Sequence, residues 1–168
     1  MTSKLRNVAG TSLQQRVGSE EWEARVNLAA AYRLAAHFRM TDLIYTHISA
    51  RVPGPDHHFL INAFGQLWDE IGASTLVKVT LEGEIVEDPT GYGFNRAGYV
   101  IHSAVHGARP DVECVMHTHT QAGIAVSAQE QGLLPISQHA MRFTGSVAYH
   151  DYEGLALELD EQKRLVRD

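Results

Sequence analysis

A chain of 168 residues, 44% apolar and 20% charged, has the makeup of one folded domain and excludes a disordered or collagen-like segment. Its net charge of -6 leaves no basic stripe for phosphates, which argues against nucleic acid and anionic membranes as partners. No apolar run is long enough to cross a bilayer, the N-terminus reads without the apolar core of a secretory signal, and the single cysteine, Cys114, excludes an internal disulfide. The expectation is a cytoplasmic protein.

Residues 1–18 hold Gly10, Gly18 and scattered polar side chains and read as a flexible N-terminal arm, with one domain over 19–168. Ser19 before Glu20 and Glu21 reads as an N-cap with an acidic first turn. It predicts a helix through Met40 with Trp22, Val26, Ala29, Ala30 and Leu34 inward and Arg25 and Arg33 outward. The β-branched residues between Leu43 and Val52 predict a strand, Pro53-Gly54-Pro55-Asp56 a turn, and residues 58–62 a returning strand. Strands over 76–81 and 85–87, joined at Glu82-Gly83-Glu84, complete an antiparallel meander.

The loop from Asp88 to Arg96 leads into a second helix over 98–109, stopped by Pro110, with Ile101, Ala104, Val105 and Ala108 inward. A strand over 112–116 is expected to bury Cys114 as a small hydrophobe. A helix over 120–130, two strands over 133–137 and 146–150, and a helix over 161–167 capped by Asp160 finish the chain.

The chemistry concentrates in Val115-Met116-His117-Thr118-His119-Thr120. Strand periodicity puts His117 and His119 on one face, close enough to grip one metal ion. In a chain with ten histidines that spacing alone is weak. His102 and His106 form a rival pair at i and i+4, without the glutamate of helical zinc motifs. His57-His58 follows a turn and reads as solvated. His47, Ser49, Asn62 and Gly65 are candidates for the substrate side, although Ser49 and Asn62 suit turns and strand edges equally well.

The runs Ile101-His102-Ser103-Ala104-Val105-His106, Ala108-Arg109-Pro110-Asp111-Val112 and Val115 to Thr120 resemble the class II aldolase/adducin family. The resemblance continues in Ala125-Val126-Ser127-Ala128, in Gly132 to Ser137 and in Val147 to Gly154. It spans most of residues 20–160 and is closest to the adducin-like branch. It implies an α/β fold, a three-layer α/β/α sandwich around a mainly antiparallel sheet, incomplete at the C-terminal end, and a homo-oligomer, often a tetramer. It also implies Zn2+ or another divalent metal on His117 and His119, with the third protein ligand, a later histidine, missing from this chain; His139 and His150 are the substitutes at hand.

In the family's aldolases a proton-transferring Glu stands where this chain has Gly98. The Gly-Asn pair that helps bind substrate phosphate falls at Thr46-His47, and the two phosphate-binding serines fall at Arg96 and Ala97. The glycine of the second binding loop is matched by Gly65. Substrate-binding candidates are therefore Ser49, Asn62 and Gly65. The implied activity is a zinc-dependent lyase of the aldolase or decarboxylase type on a small hydroxy-carbonyl compound, within carbohydrate metabolism, or a short form without activity. The alternative is a non-catalytic adducin-like interaction module of the cytoskeletal, actin-binding type.

Overall fold

A computed structural model describes residues 11–156 and 159–168. Among them, β1 (His47–Arg51), β2 (Phe59–Ile61), β3 (Val77–Val79), β4 (Ile85–Glu87) and β5 (Cys114–His117) form one antiparallel sheet in the order β4-β3-β2-β1-β5. Helices cover both faces, as the α/β/α expectation requires.

One face packs on α2 (Ser19–His37). Leu28, Tyr32 and Ala35 meet Ile48, Leu60, Trp68, Ile71 and Leu76 in one buried cluster, where each large apolar side chain contributes about 1.5–3 kcal/mol. The Tyr32 hydroxyl enters where the β1–β2 ladder ends. It accepts from the Ile48 N–H at 2.7 Å and the Asn62 N–H at 3.3 Å, and it faces the Ile48 carbonyl and the Asn62 side-chain oxygen. The buried face of α2 is not the one its apolar residues predict. Arg25 is fully buried, while Val26 and Leu34 are exposed. Arg25 stays inside because Glu21 pairs with it at 2.9 Å and the Leu76 carbonyl accepts from it at 2.9 Å, so its charge is met within the fold.

The other face packs on α3 (Arg96–Ala108). Phe59, Ile61, Val77 and Val79 meet Tyr99 and Val100 there. Asn95 caps α3 by accepting from the Gly98 N–H at 3.2 Å. Ala108 is exposed, and the buried face instead carries His102, Ser103 and His106. The helix α6 (Glu161–Arg167) lies against α3, with Gln162 donating to the Val100 carbonyl and the Ser103 hydroxyl.

Three further expectations change. Residues 1–10 of the arm lie outside the described residues; beyond them α1 (Leu13–Arg16) winds one turn, with Leu13 buried and Arg16 paired to Glu87 at 2.8 Å. Cys114 is exposed, because β5 is the edge strand. No strand forms over 133–137 or 146–150. That stretch holds a short helix, α5 (Gln138–Met141), after α4 (Gln121–Ser127). A strand needs a partner ladder, Pro135 has no N–H to offer one, and the segment is instead fastened by the Leu133 N–H donating to the Tyr149 hydroxyl.

Candidate functional site

The register of β1 and β5 sets His47 directly opposite His117. Alternation along β1 aims His47 and Ser49 at α3, the same side as His117. Strand β5 ends at His117, yet the His119 ring still lies beside it, with ring centroids 4.7 Å apart and the two Nε2 atoms 3.1 Å apart. His119 Nδ1 donates to the Asp42 carboxylate at 2.8 Å. Asp42 comes from the connection between α2 and β1, where Leu43 takes the left-handed conformation with φ 47°.

Behind this pair lies a buried histidine cluster. His47 Nε2 is 3.4 Å from His117 Nδ1, and its Nδ1 is 2.8 Å from His102 Nε2. The Ser49 hydroxyl bridges His102 Nδ1 at 2.6 Å and His106 Nε2 at 2.8 Å. His102 and His106 thus share a hydroxyl. Burial and the neighbouring His117 and His119 push His47 down to about 4. Burial and the Arg51 guanidinium push His106 down to about 4, against an opposing pull from the Val112 carbonyl. Burial depresses His102 strongly and His117 as well. These four rings are therefore neutral at pH 7, the form in which imidazole binds metals.

His47, His117 and His119 line a cleft of about 510 Å³ together with Gly98, His150, Glu153 and Glu161. A β carbon built on Gly98 would lie 2.5 Å from His47 Nε2 and 2.6 Å from its Cδ2. The His47 imidazole occupies the space that a side chain at position 98 would take.

The expected residues fare unequally. His117 and His119 come together at the cleft. Ser49 is fully buried under His102 and His106, and Asn62 is buried against Tyr32, so neither faces the cleft. Gly65 has a φ of 84° and lines a separate concavity with Phe64, Gln66 and Tyr92. His139 sits exposed on α5, and His150 bonds Asp168 at 2.7 Å. Among the described residues no three His, Cys, Asp or Glu side chains gather into a metal-binding cluster. Asp42 escaped the sequence reading because nothing local marks it. The placement of His47 was readable only from the β1–β5 register.

Comparison with known proteins places this geometry in context. Residues 26–168 match the family described as the Class II Aldolase and Adducin N-terminal domain. A Caulobacter vibrioides protein named for class 2 aldolases is 56% identical over 157 residues, which are 94% of this chain and 61% of that protein. Mouse alpha-adducin is 52% identical over 144 residues, 85% of this chain and 19% of that protein. Among solved structures, an aldolase II superfamily protein from Pseudomonas syringae superposes with a TM-score of 0.92 at 68% identity, covering 94% of this chain and 64% of that one. L-fuculose 1-phosphate aldolase from Glaciozyma antarctica gives 0.75 at 32% identity, over 83% and 59%. The chain spans about three fifths of the bacterial relative's length. With most of its residues matched and its fold shared, the chain belongs to the class II aldolase and adducin family.

Proposed function

We propose that this chain carries the metal-binding part of a zinc-dependent carbon–carbon lyase, of the aldolase or decarboxylase type, acting on a small hydroxy-carbonyl compound as a homo-oligomer. The observation that carries this reading is the facing pair of Nε2 atoms at 3.1 Å. Two nitrogens on one tetrahedral zinc, each about 2.0–2.1 Å from it, stand about 3.3 Å apart, so the donor set fits such an ion. Asp42 completes the fit. A carboxylate only accepts, so the His119 hydrogen sits on Nδ1 and the Nε2 lone pair is free to ligate.

A divalent ion on this pair would supply Lewis-acid polarisation of a substrate carbonyl. The chain's own residues bring two imidazoles together at the cleft wall, and Asp42 fixes the tautomer of one of them. Gly98 has no proton to exchange, so proton transfer falls to another group. Arg96, Ala97 and His47 in place of the family's phosphate-binding residues favour an unphosphorylated substrate. The likeness to L-fuculose 1-phosphate aldolase at 32% identity supports lyase chemistry.

A second reading, a non-catalytic adducin-like interaction module, is favoured by the same His47 ring filling the space over Gly98 and by the 52% identity with alpha-adducin. Metal affinity separates the two. Titration calorimetry with zinc should give one equivalent bound to the wild-type chain and at least ten-fold weaker binding to His117→Ala and His119→Ala. Equal, negligible binding by all three would remove the enzyme reading; binding by the wild type alone would justify retro-aldol and decarboxylation assays.

A further inference from the structure

Asp42, His119, His117, His47, His102, Ser49 and His106 stand in a single file. Successive polar atoms are separated by 2.8, 3.1, 3.4, 2.8, 2.6 and 2.8 Å. Every link in that file needs one hydrogen, and a neutral imidazole has one to give. The file begins at a carboxylate, which fixes the count. Since His119 spends its hydrogen on Asp42, its bare Nε2 requires a hydrogen on His117 Nε2. The bare His117 Nδ1 then requires one on His47 Nε2, and the bare His47 Nδ1 requires one on His102 Nε2. Ser49 donates to His102 Nδ1 and accepts from His106 Nε2. Each hydrogen is used once, and one nitrogen, His106 Nδ1, is left over. It is the one buried atom of these seven side chains, apart from their shared contacts, that has no hydrogen-bond partner.

We propose that these side chains form a directional tautomer relay, in which the nitrogen that His117 presents to the cleft is set by, and reported at, His106. The inference rests on the metal reading only for its second state. When both His117 Nε2 and His119 Nε2 are committed to an ion, the His117 hydrogen must sit on Nδ1. Each hydrogen then crosses its own link, so that His47 and His102 become Nδ1–H and the Ser49 hydroxyl points at His106 Nε2. One proton leaves His117 Nε2 to water, and one from water is taken up at His106 Nδ1, the nitrogen that has no partner. No ring changes its charge and the number of protons in the relay is unchanged. Only the polarity reverses.

Long-range 15N–1H spectra of the imidazole rings at pH 7.5 test this, because they distinguish the two neutral tautomers. The zinc-free wild type should show Nε2–H at His117, His47, His102 and His106 and Nδ1–H at His119. A zinc-free Nδ1–H tautomer at His47, His102 or His106 overturns the relay. With one equivalent of zinc, His106 should switch to Nδ1–H although it touches no candidate ligand; a His106 that stays Nε2–H while zinc is bound also overturns it. In Ser49→Ala the His106 tautomer should no longer respond to zinc, and if that variant does not fold the wild-type spectra still decide. Zinc that fails to bind overturns the metal reading, and the zinc-free tautomers then decide the relay alone.

Discussion

A side chain at position 98 and the imidazole of His47 compete for one volume, since a β carbon there would lie 2.5–2.8 Å from three ring atoms of His47. Replacing glycine by alanine in a helix gains up to about 1 kcal/mol, whereas forcing a group into a filled site costs about 1–3 kcal/mol. Gly98→Ala should therefore destabilise the wild type, yet stabilise a His47→Ala background. Urea melts of the four proteins in that cycle measure the sign change, and an alanine that helps in both backgrounds would show that the ring moves aside freely. A side chain at position 98 and the His47 ring are thus alternatives in the same space. Tyr32 makes a comparable demand. Its hydroxyl serves backbone groups of both Ile48 and Asn62, so Tyr32→Phe strands buried polar groups and should cost about 1–3 kcal/mol, read from the same melts.

The helix α2 shows where sequence reading reaches and where it stops. Its existence and span were legible because cap, acidic first turn and helix formers are local signals; so were the meander strands, whose turns carry Gly and Pro. Its buried face was not legible, because Arg25 goes inside only when Glu21 and the Leu76 carbonyl are there to receive it. Leu28→Ala should accordingly cost about 2–5 kcal/mol. Leu34→Ala, on the exposed side at 58% accessibility, should change stability by no more than about 0.5 kcal/mol. Equal losses at both positions would contradict the observed face. The same logic governs the later chain. Strand-like sequence over 133–137 and 146–150 forms no strand, since β-structure depends on a partner that no single segment encodes. The meeting of His117 and His119 was legible from their spacing, but Asp42 and the His47 contact depend on a tertiary register that spacing does not contain.

Stability of the fold as a function of pH follows from its buried histidines. Burial holds His106 at about 4 and His102 well below the ordinary histidine value of 6.5, so between these limits the unfolded chain binds more protons than the folded one. Stability must therefore rise with pH through that interval. The contribution is complete above about 6.5 and is lost as pH falls through the folded value near 4. The slope is up to about 1.4 kcal/mol per pH unit for each such ring. Glu21, lowered from 4.5 by Lys78 and Arg25 against its own desolvation, and Asp88, lowered from 3.8 by the N–H groups of Gly93, Thr90 and Gly91 together with the Thr90 hydroxyl, act in the same direction but only at lower pH. Loss of stability should thus begin near pH 6.5, before Glu21 or Asp88 takes up a proton. Denaturant midpoints should stay level from pH 7.5 to about 6.5 and fall from there to pH 4.5. His106→Gln should flatten the slope by about one proton's worth even where it lowers stability at pH 7.5. A wild-type profile that stays level down to pH 4.5 would mean that these rings exchange protons with solvent as freely in the fold as outside it.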